Sequence, residues 1–157
     1  MKRGASGINA LIAVDKPLGL TSHDVVSRVR RVFGEKRVGH AGTLDPNASG
    51  VLVVGIGLAT KLLGLLTLDR KGYVADISFG TRTSTDDADG QVVATAPVPE
   101  ELRDTEFAQD VCRQLVGDID QLPPAVSAIS VEGKRAYQLV REGKTPELAA
   151  RRVHIYD

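Results

Sequence analysis

Arg37 to Ile56 reads RVGHAGTLDPNASGVLVVGI and joins two kinds of chain with no spacer between them. Its second part, Gly50 to Ile56, is uninterrupted and β-branched, the composition of a strand buried on both faces. Its first part, Gly39 to Pro46, sets two glycines and a proline among polar residues, which fixes an irregular loop leading straight into a core element. Asp45 is then held rigidly at the rim of that element, where an ionised carboxylate is available for chemistry. An Asp-Pro turn whose side chain bonds its own backbone accounts for the same residues, so the loop alone leaves both open.

Upstream, Ala10 to Val14 is a short apolar run stopped by Lys16-Pro17-Leu18-Gly19, a strand and a turn. Thr21-Ser22-His23-Asp24 has the form of a capping box. A helix should follow, with Val25, Val29, Val32 and Phe33 at helical spacing and Gly34 as its C-cap. Downstream, Thr60 to Leu68 reads as a short apolar helix, and the alternation over Lys71 to Gly80 predicts a half-exposed strand with Tyr73 on its apolar side. Gln91 to Thr95 is a further strand. Thr105 to Leu115, with Phe107, Val111 and Leu115 in step, is an amphipathic helix ending at Gly117. Ala125 to Val131 reads as a strand, Glu132-Gly133 as a turn, Ala136 to Glu142 as a helix capped by Gly143, and Arg152 to Tyr156 as a last strand. The predicted class is α+β, a mixed, largely antiparallel sheet with flanking helices. The chain stops at Asp157 in or just after a strand, and a sheet ending there leaves an edge needing a partner, which points to an incomplete polypeptide.

Composition narrows the function. With 157 residues, 42% hydrophobic and 25% charged, the chain fits one ordinary globular domain. Its longest apolar stretch, Gly50 to Ala59, is about half of what a membrane helix needs, and the N-terminus lacks the apolar region of a signal peptide, so a cytoplasmic protein with no membrane contact is expected. One cysteine, Cys112, permits neither an internal disulfide nor a thiolate zinc site, and His23, His40 and His154 have no metal-ligand spacing, so no metal is expected. Twenty basic and twenty acidic residues cancel, but unevenly. Residues 1 to 37 carry eight basic side chains against three acidic ones, and residues 86 to 110 carry eight acidic against one basic. One face is therefore suited to phosphates, with Arg28, Arg30, Arg31, Lys36 and Arg37 as candidate contacts, although two solvated helix faces of opposite sign give the same pattern.

Several phosphate and metal signatures fail on counting. Gly55-Ile56-Gly57 follows a strand, but Thr60 stands where a dinucleotide fingerprint needs its third glycine. Gly143-Lys144-Thr145 imitates the end of a Walker A loop, yet Gln138 occupies the required glycine. Asp87, Asp89 and Gly90 suggest a calcium loop until Thr85 and Ala96 fall on ligand positions. For Cys112, with no histidine at a set spacing, a packed thiol is expected over a nucleophile.

The surviving motifs occur in a fixed order: IAVDKPLGLTSHDVV (Ile12 to Val26), RVGHAGTLDPNASG (Arg37 to Gly50), Ala59-Thr60-Lys61, Lys71-Gly72-Tyr73, GTRTSTDDADG (Gly80 to Gly90) and LPPAVSAISVEGKRAY (Leu122 to Tyr137). Together they closely resemble the TruB family of tRNA pseudouridine synthases, from about Asn9 to Tyr156. Leu18-Gly19-Leu20-Thr21 is similar to the stand-alone bacterial form rather than to the catalytic subunit of guide-RNA particles. The resemblance implies that residues 1–157 are the N-terminal portion of the catalytic domain. The later strands, with an arginine that pairs with the catalytic aspartate, and a C-terminal RNA-binding PUA domain would lie elsewhere.

The activity implied is isomerisation of the T-loop uridine at position 55 of tRNA to pseudouridine, with no cofactor and no metal. Its partner would be the T arm and T loop of tRNA, and no oligomer is expected. By match to the family motifs, Asp45 is the catalytic carboxylate and Tyr73 the aromatic platform for an everted base, near the C5 proton. His40 would help hold the base out, Lys16 and Asp87 would line the site, and Arg28, Arg31 and Arg37 would meet phosphate. The alternative is a truncated or non-catalytic module that binds the tRNA elbow.

Overall fold

β3 (Gly50–Ile56) is the central strand of a three-stranded antiparallel sheet, flanked by β1 (Ala10–Lys16) and β2 (Val38–Ala41). The structure is a computed structural model that describes residues 6–67, 70–127, 129–131 and 133–157. Met1 to Ala5, Leu68, Asp69, Ala128 and Glu132 lie outside the described residues. They include Lys2 and Arg3 of the basic segment and parts of the expected helix over 60–68, strand over 125–131 and Glu132-Gly133 turn. The chain divides into two compact units, one up to Val74 and one from Ala75.

In the first unit β1 pairs with β3 from Ala10 opposite Ile56 to Lys16 opposite Gly50, and β2 pairs with its other edge from Val38 opposite Ile56 to Ala41 opposite Val53. The end of β1, the end of β2 and the start of β3 therefore lie at one end of the sheet. Helix α1 (Ser22–Phe33) covers one sheet face, burying Val25, Val26 and Val29 against Val38, Leu52, Val54 and Ile56. Its start is closed by the expected capping box. Thr21 Oγ1 accepts from the Asp24 N–H at 3.1 Å, and the Asp24 carboxylate accepts from the Thr21 N–H at 2.9 Å and hydroxyl at 2.6 Å. Those hydrogen bonds, the Thr21 hydroxyl first, hold the Asp24 carboxyl below its ordinary range. Gly34 closes the helix in the left-handed conformation, with φ +60°. A short 3₁₀ segment (Gly57–Leu62) and α2 (Leu63–Leu66) follow β3.

Three expectations for this unit change. β3 is buried on both faces only toward its end: Leu52, Val54 and Ile56 face α1, and on the other face Gly55 lies beneath Thr60 and Leu63, whereas Val51 is 71% exposed. On α1 the buried residues are Ser22, Val25, Val26 and Val29, with Phe33 packed against the core and Val32 exposed, so the inward stripe keeps Val25, Val29 and Phe33, loses Val32 and takes in Ser22 and Val26. The segment Gly39 to Ala41, expected as loop, is the end of β2.

In the second unit β4 (Thr81–Thr83) pairs with β5 (Val92–Thr95), β6 (Gly117–Gln121) with β9 (Arg151–Ile155), and β7 (Ser130–Val131) with β8 (Lys134–Arg135). Helices α3 (Thr105–Arg113) and α4 (Ala136–Arg141) complete it, and Cys112 on α3 is exposed rather than packed. Among the described residues every strand pair is antiparallel, which with the helices makes the class α+β as expected. The expected strand over 71–80 is not formed. Residues 70–79 are irregular, with Tyr73, Val74, Ile77 and Phe79 exposed, since their alternating pattern finds no strand edge to pair with. β6 was not expected, because GDIDQ has a single apolar residue. Side-chain pairs across the strands support it instead, a hydrogen bond between Asp118 and His154 at 2.7 Å and an ion pair between Asp120 and Arg152 at 3.3 Å. The strand expected from Ala125 shortens to Ser130–Val131.

Candidate active site

The loop from Gly42 to Ser49 leaves β2 and returns as β3, at the same sheet end where β1 turns through Pro17 to Leu20 into α1. Register therefore places the two loops side by side, and hydrogen bonds join them. Gly19 donates its N–H to the Pro46 carbonyl at 2.8 Å. Ser22 Oγ accepts from the Leu44 N–H at 3.0 Å and donates to the Leu44 carbonyl at 3.1 Å. Within the loop Ala48 donates to the Asp45 carbonyl at 3.0 Å, and Leu44 packs against the core. Residues 44, 45 and 46 are thus each held through the backbone, while the Asp45 side chain stays exposed. Among the described residues no basic side chain pairs with its carboxylate and no bond returns it to its own backbone. The Asp-Pro turn with a satisfied side chain is not what forms.

His40 stands on β2 opposite Val54, half-buried, with Nδ1 hydrogen-bonded to the Gly42 carbonyl. A carbonyl only accepts, so this bond puts the proton on Nδ1 and, in the neutral ring, leaves Nε2 as an acceptor. Lys16 is fully buried at the end of β1, and its ammonium donates to the carbonyls of Leu20 at 2.8 Å and Pro17 at 3.1 Å. It braces the turn that carries Gly19. Tyr73 is 73% exposed in irregular chain, and no hydrogen bond or ring contact engages it among the described residues.

Arg28, Arg31 and Arg37 are exposed, as phosphate contacts require. Arg30 differs, since its guanidinium donates to the Val38 carbonyl at 3.0 Å and ties α1 to β2. In the second unit, Asp87 Oδ1 accepts from the Thr85 hydroxyl at 2.5 Å and the Asp89 N–H at 3.0 Å, which orders the acidic loop locally. No group of three or more potential metal ligands occurs among the described residues. An open groove of about 320 Å³ beside α1, lined by Val14, Pro17, Leu20, Val25, Arg28 and Phe33 among others, includes none of the Asp45 loop.

Ser22 and Gly19, which hold the loop, were not singled out as site residues from the sequence. One signal existed: Ser22, Val25, Val26 and Val29 share the inward face of α1, so a small polar residue interrupts an apolar stripe.

This is a scaffold that presents one rigidly based carboxylate at the end of an antiparallel sheet. Residues 30–157 match the family described as TruB family pseudouridylate synthase (N terminal domain), and the chain belongs to that family. It is 59% identical over 152 residues to a protein of Mycobacterium sp. (strain KMS) named tRNA pseudouridine synthase B, covering 97% of this chain and 50% of that protein. A protein of the same name from Mycobacteroides abscessus is 58% identical over 145 residues, covering 92% of this chain and 48% of that one. The chain spans about half the length of the curated relatives it matches. Among solved structures, a chain of a Cbf5-Nop10-Gar1 complex is similar with a TM-score of 0.49 and 27% identity, over 76% of this chain and 30% of that chain.

Proposed function

We propose that this chain is the N-terminal portion of the catalytic domain of a cytoplasmic enzyme that isomerises the T-loop uridine at position 55 of tRNA to pseudouridine, with Asp45 as its catalytic residue. The reaction breaks the bond from uracil N1 to ribose C1′, turns the base, forms the bond from C5 to C1′, and moves a proton from C5 to the solvent while N1 acquires one. Cleavage builds positive, oxocarbenium-like character on the sugar. A nearby carboxylate stabilises that charge or attacks C1′. Because the base never departs, one carboxylate suffices where glycosidases employ two. No cofactor enters the scheme.

The observation that carries this reading is the Asp45 loop, three successive residues pinned by their backbone with the acid itself left open to a substrate. Tyr73 is assigned as the stacking platform for the everted uracil, a contact worth roughly 1 to 3 kcal/mol, and its exposure leaves the ring free to receive a base. His40, with its ring fixed by the Gly42 carbonyl, offers Nε2 to the evicted nucleotide or its neighbours. Lys16 contributes through the turn it braces, Asp87 lines the substrate side, and Arg28, Arg31 and Arg37 meet phosphates of the T arm.

In the full-length protein, Asp45→Asn should abolish tritium release from 5-tritiated uridine in tRNA while tRNA binding persists. Release near the parental rate would reject the assignment. A second reading has its own support, since no described basic side chain pairs with Asp45: residues 1–157 alone bind the tRNA elbow without chemistry. Tritium release by the 157-residue chain separates the two, and little or none is expected.

A further inference from the structure

We infer that Ser22 is a positioning residue that sets the aim of the Asp45 carboxylate, an inference that rests on the catalytic assignment of Asp45. Ser22 is 3% exposed on the inward face of α1, in line with Val25, Val26 and Val29. A hydroxyl on an apolar face costs stability unless it is hydrogen-bonded, and packing on the sheet gives no use for one. Nor does the start of the helix require it, because Thr21 and Asp24 already close the N-terminus.

The hydroxyl is spent entirely on one residue. It accepts from the Leu44 N–H at 3.0 Å and donates to the Leu44 carbonyl at 3.1 Å. Gripping both polar groups of one residue fixes its rotation as well as its position, and the carbonyl it holds belongs to the peptide bond leading into Asp45. The Leu44 side chain in the core adds a third restraint, and Gly19 on Pro46 holds the far side. Gly19 acts through its backbone, so Ser22 is the side chain through which the clamp can be released. Reaction rates fall steeply when a reacting group is displaced by about 1 Å, so loosening residue 44 should slow chemistry without removing any group that touches tRNA.

The test uses the full-length protein with Ser22→Ala, Val26→Ala and Asp45→Asn. Ser22→Ala should lower the single-turnover rate on tRNA by about tenfold to a hundredfold and leave the Kd for tRNA within about twofold. Val26→Ala, on the same helix and equally buried, should lower the melting temperature yet leave the single-turnover rate of the folded enzyme within about twofold. A Ser22→Ala enzyme as fast as the parent, or a Val26→Ala enzyme slowed as much as Ser22→Ala, overturns the positioning role. Activity in Asp45→Asn overturns instead the assignment beneath it. An inactive Asp45→Asn beside a full-speed Ser22→Ala rejects the role of Ser22 alone.

Discussion

Gly34 and Gly57 form a matched pair for weighing backbone strain against crowding. Both have φ near +60°, where an alanine costs roughly 1 to 2 kcal/mol. At Gly34 nothing lies within 4 Å of an added Cβ, so strain is the whole cost. At Gly57 the Cβ would sit 2.2 Å from the Ile8 carbonyl oxygen and 2.5 Å from Asn9 Oδ1. The Ile8 backbone would have to retreat by about 1 Å to restore ordinary contact. Asn9 would move with it, endangering the bond from the Leu58 N–H to Asn9 Oδ1 at 2.7 Å, worth about 1 kcal/mol. Gly57→Ala should therefore cost at least about 3 kcal/mol against about 1 for Gly34→Ala. Amide exchange of peptides covering 50–56 in the full-length protein reads the difference. Roughly a hundredfold faster exchange is expected for Gly57→Ala and about fivefold for Gly34→Ala. Equal acceleration would refute the idea that Gly57 exists to let residues 8–9 and 57–58 meet. It would also reopen a ligand-binding role for the Gly55-Ile56-Gly57 sequence.

Glu35 is buried, and its carboxylate accepts from the N–H of Arg37 at 3.0 Å and of Ser6 at 2.9 Å, and from the Ser6 hydroxyl at 3.2 Å. These bonds, the Arg37 N–H first, hold its carboxyl below the ordinary glutamate range, so its contribution is complete above that range and is lost as pH falls through the lower folded value. Urea midpoints taken between neutral and acid pH should fall more steeply for the parent than for Glu35→Gln, and identical slopes would contradict the linkage. On β3, Leu52→Ala should cost roughly 2 to 5 kcal/mol and Val51→Thr less than about 0.5, because Leu52 is 1% exposed and Val51 is 71% exposed. Comparable exchange rates in the two variants would show that α1 does not decide which of residues 51 and 52 is buried.

What the sequence discloses depends on how locally each element is specified. The capping box, the left-handed Gly34 and the β-branched run at 50–56 depend on neighbours a few residues apart, and all three form where expected. Elements stabilised by distant partners are another matter. β6 carries one isoleucine among polar residues, and its side-chain partners, Arg152 and His154, come more than thirty residues later. The alternation over 71–80 is as clean as any in the chain, yet a period of two only describes which faces a strand would have and supplies no edge to pair with. That segment remains irregular, with its apolar residues facing solvent.

The site divides along the same line. Asp45 was legible because a carboxylate between glycine-rich chain and a buried strand is chemically conspicuous within a dozen residues. Its supports were not, since Ser22 and Gly19 act from twenty-two and twenty-seven residues away. Sequence alone shows the serine as part of a helix start, inside a capping box that Thr21 and Asp24 already close. Its spacing from Val25 and Val29 puts it on the inward face with them, and what the sequence does not supply is its partner, Leu44. A polar residue on the apolar face of a helix is thus the trace a loop-positioning contact leaves in a sequence, and it becomes readable once the face has been assigned.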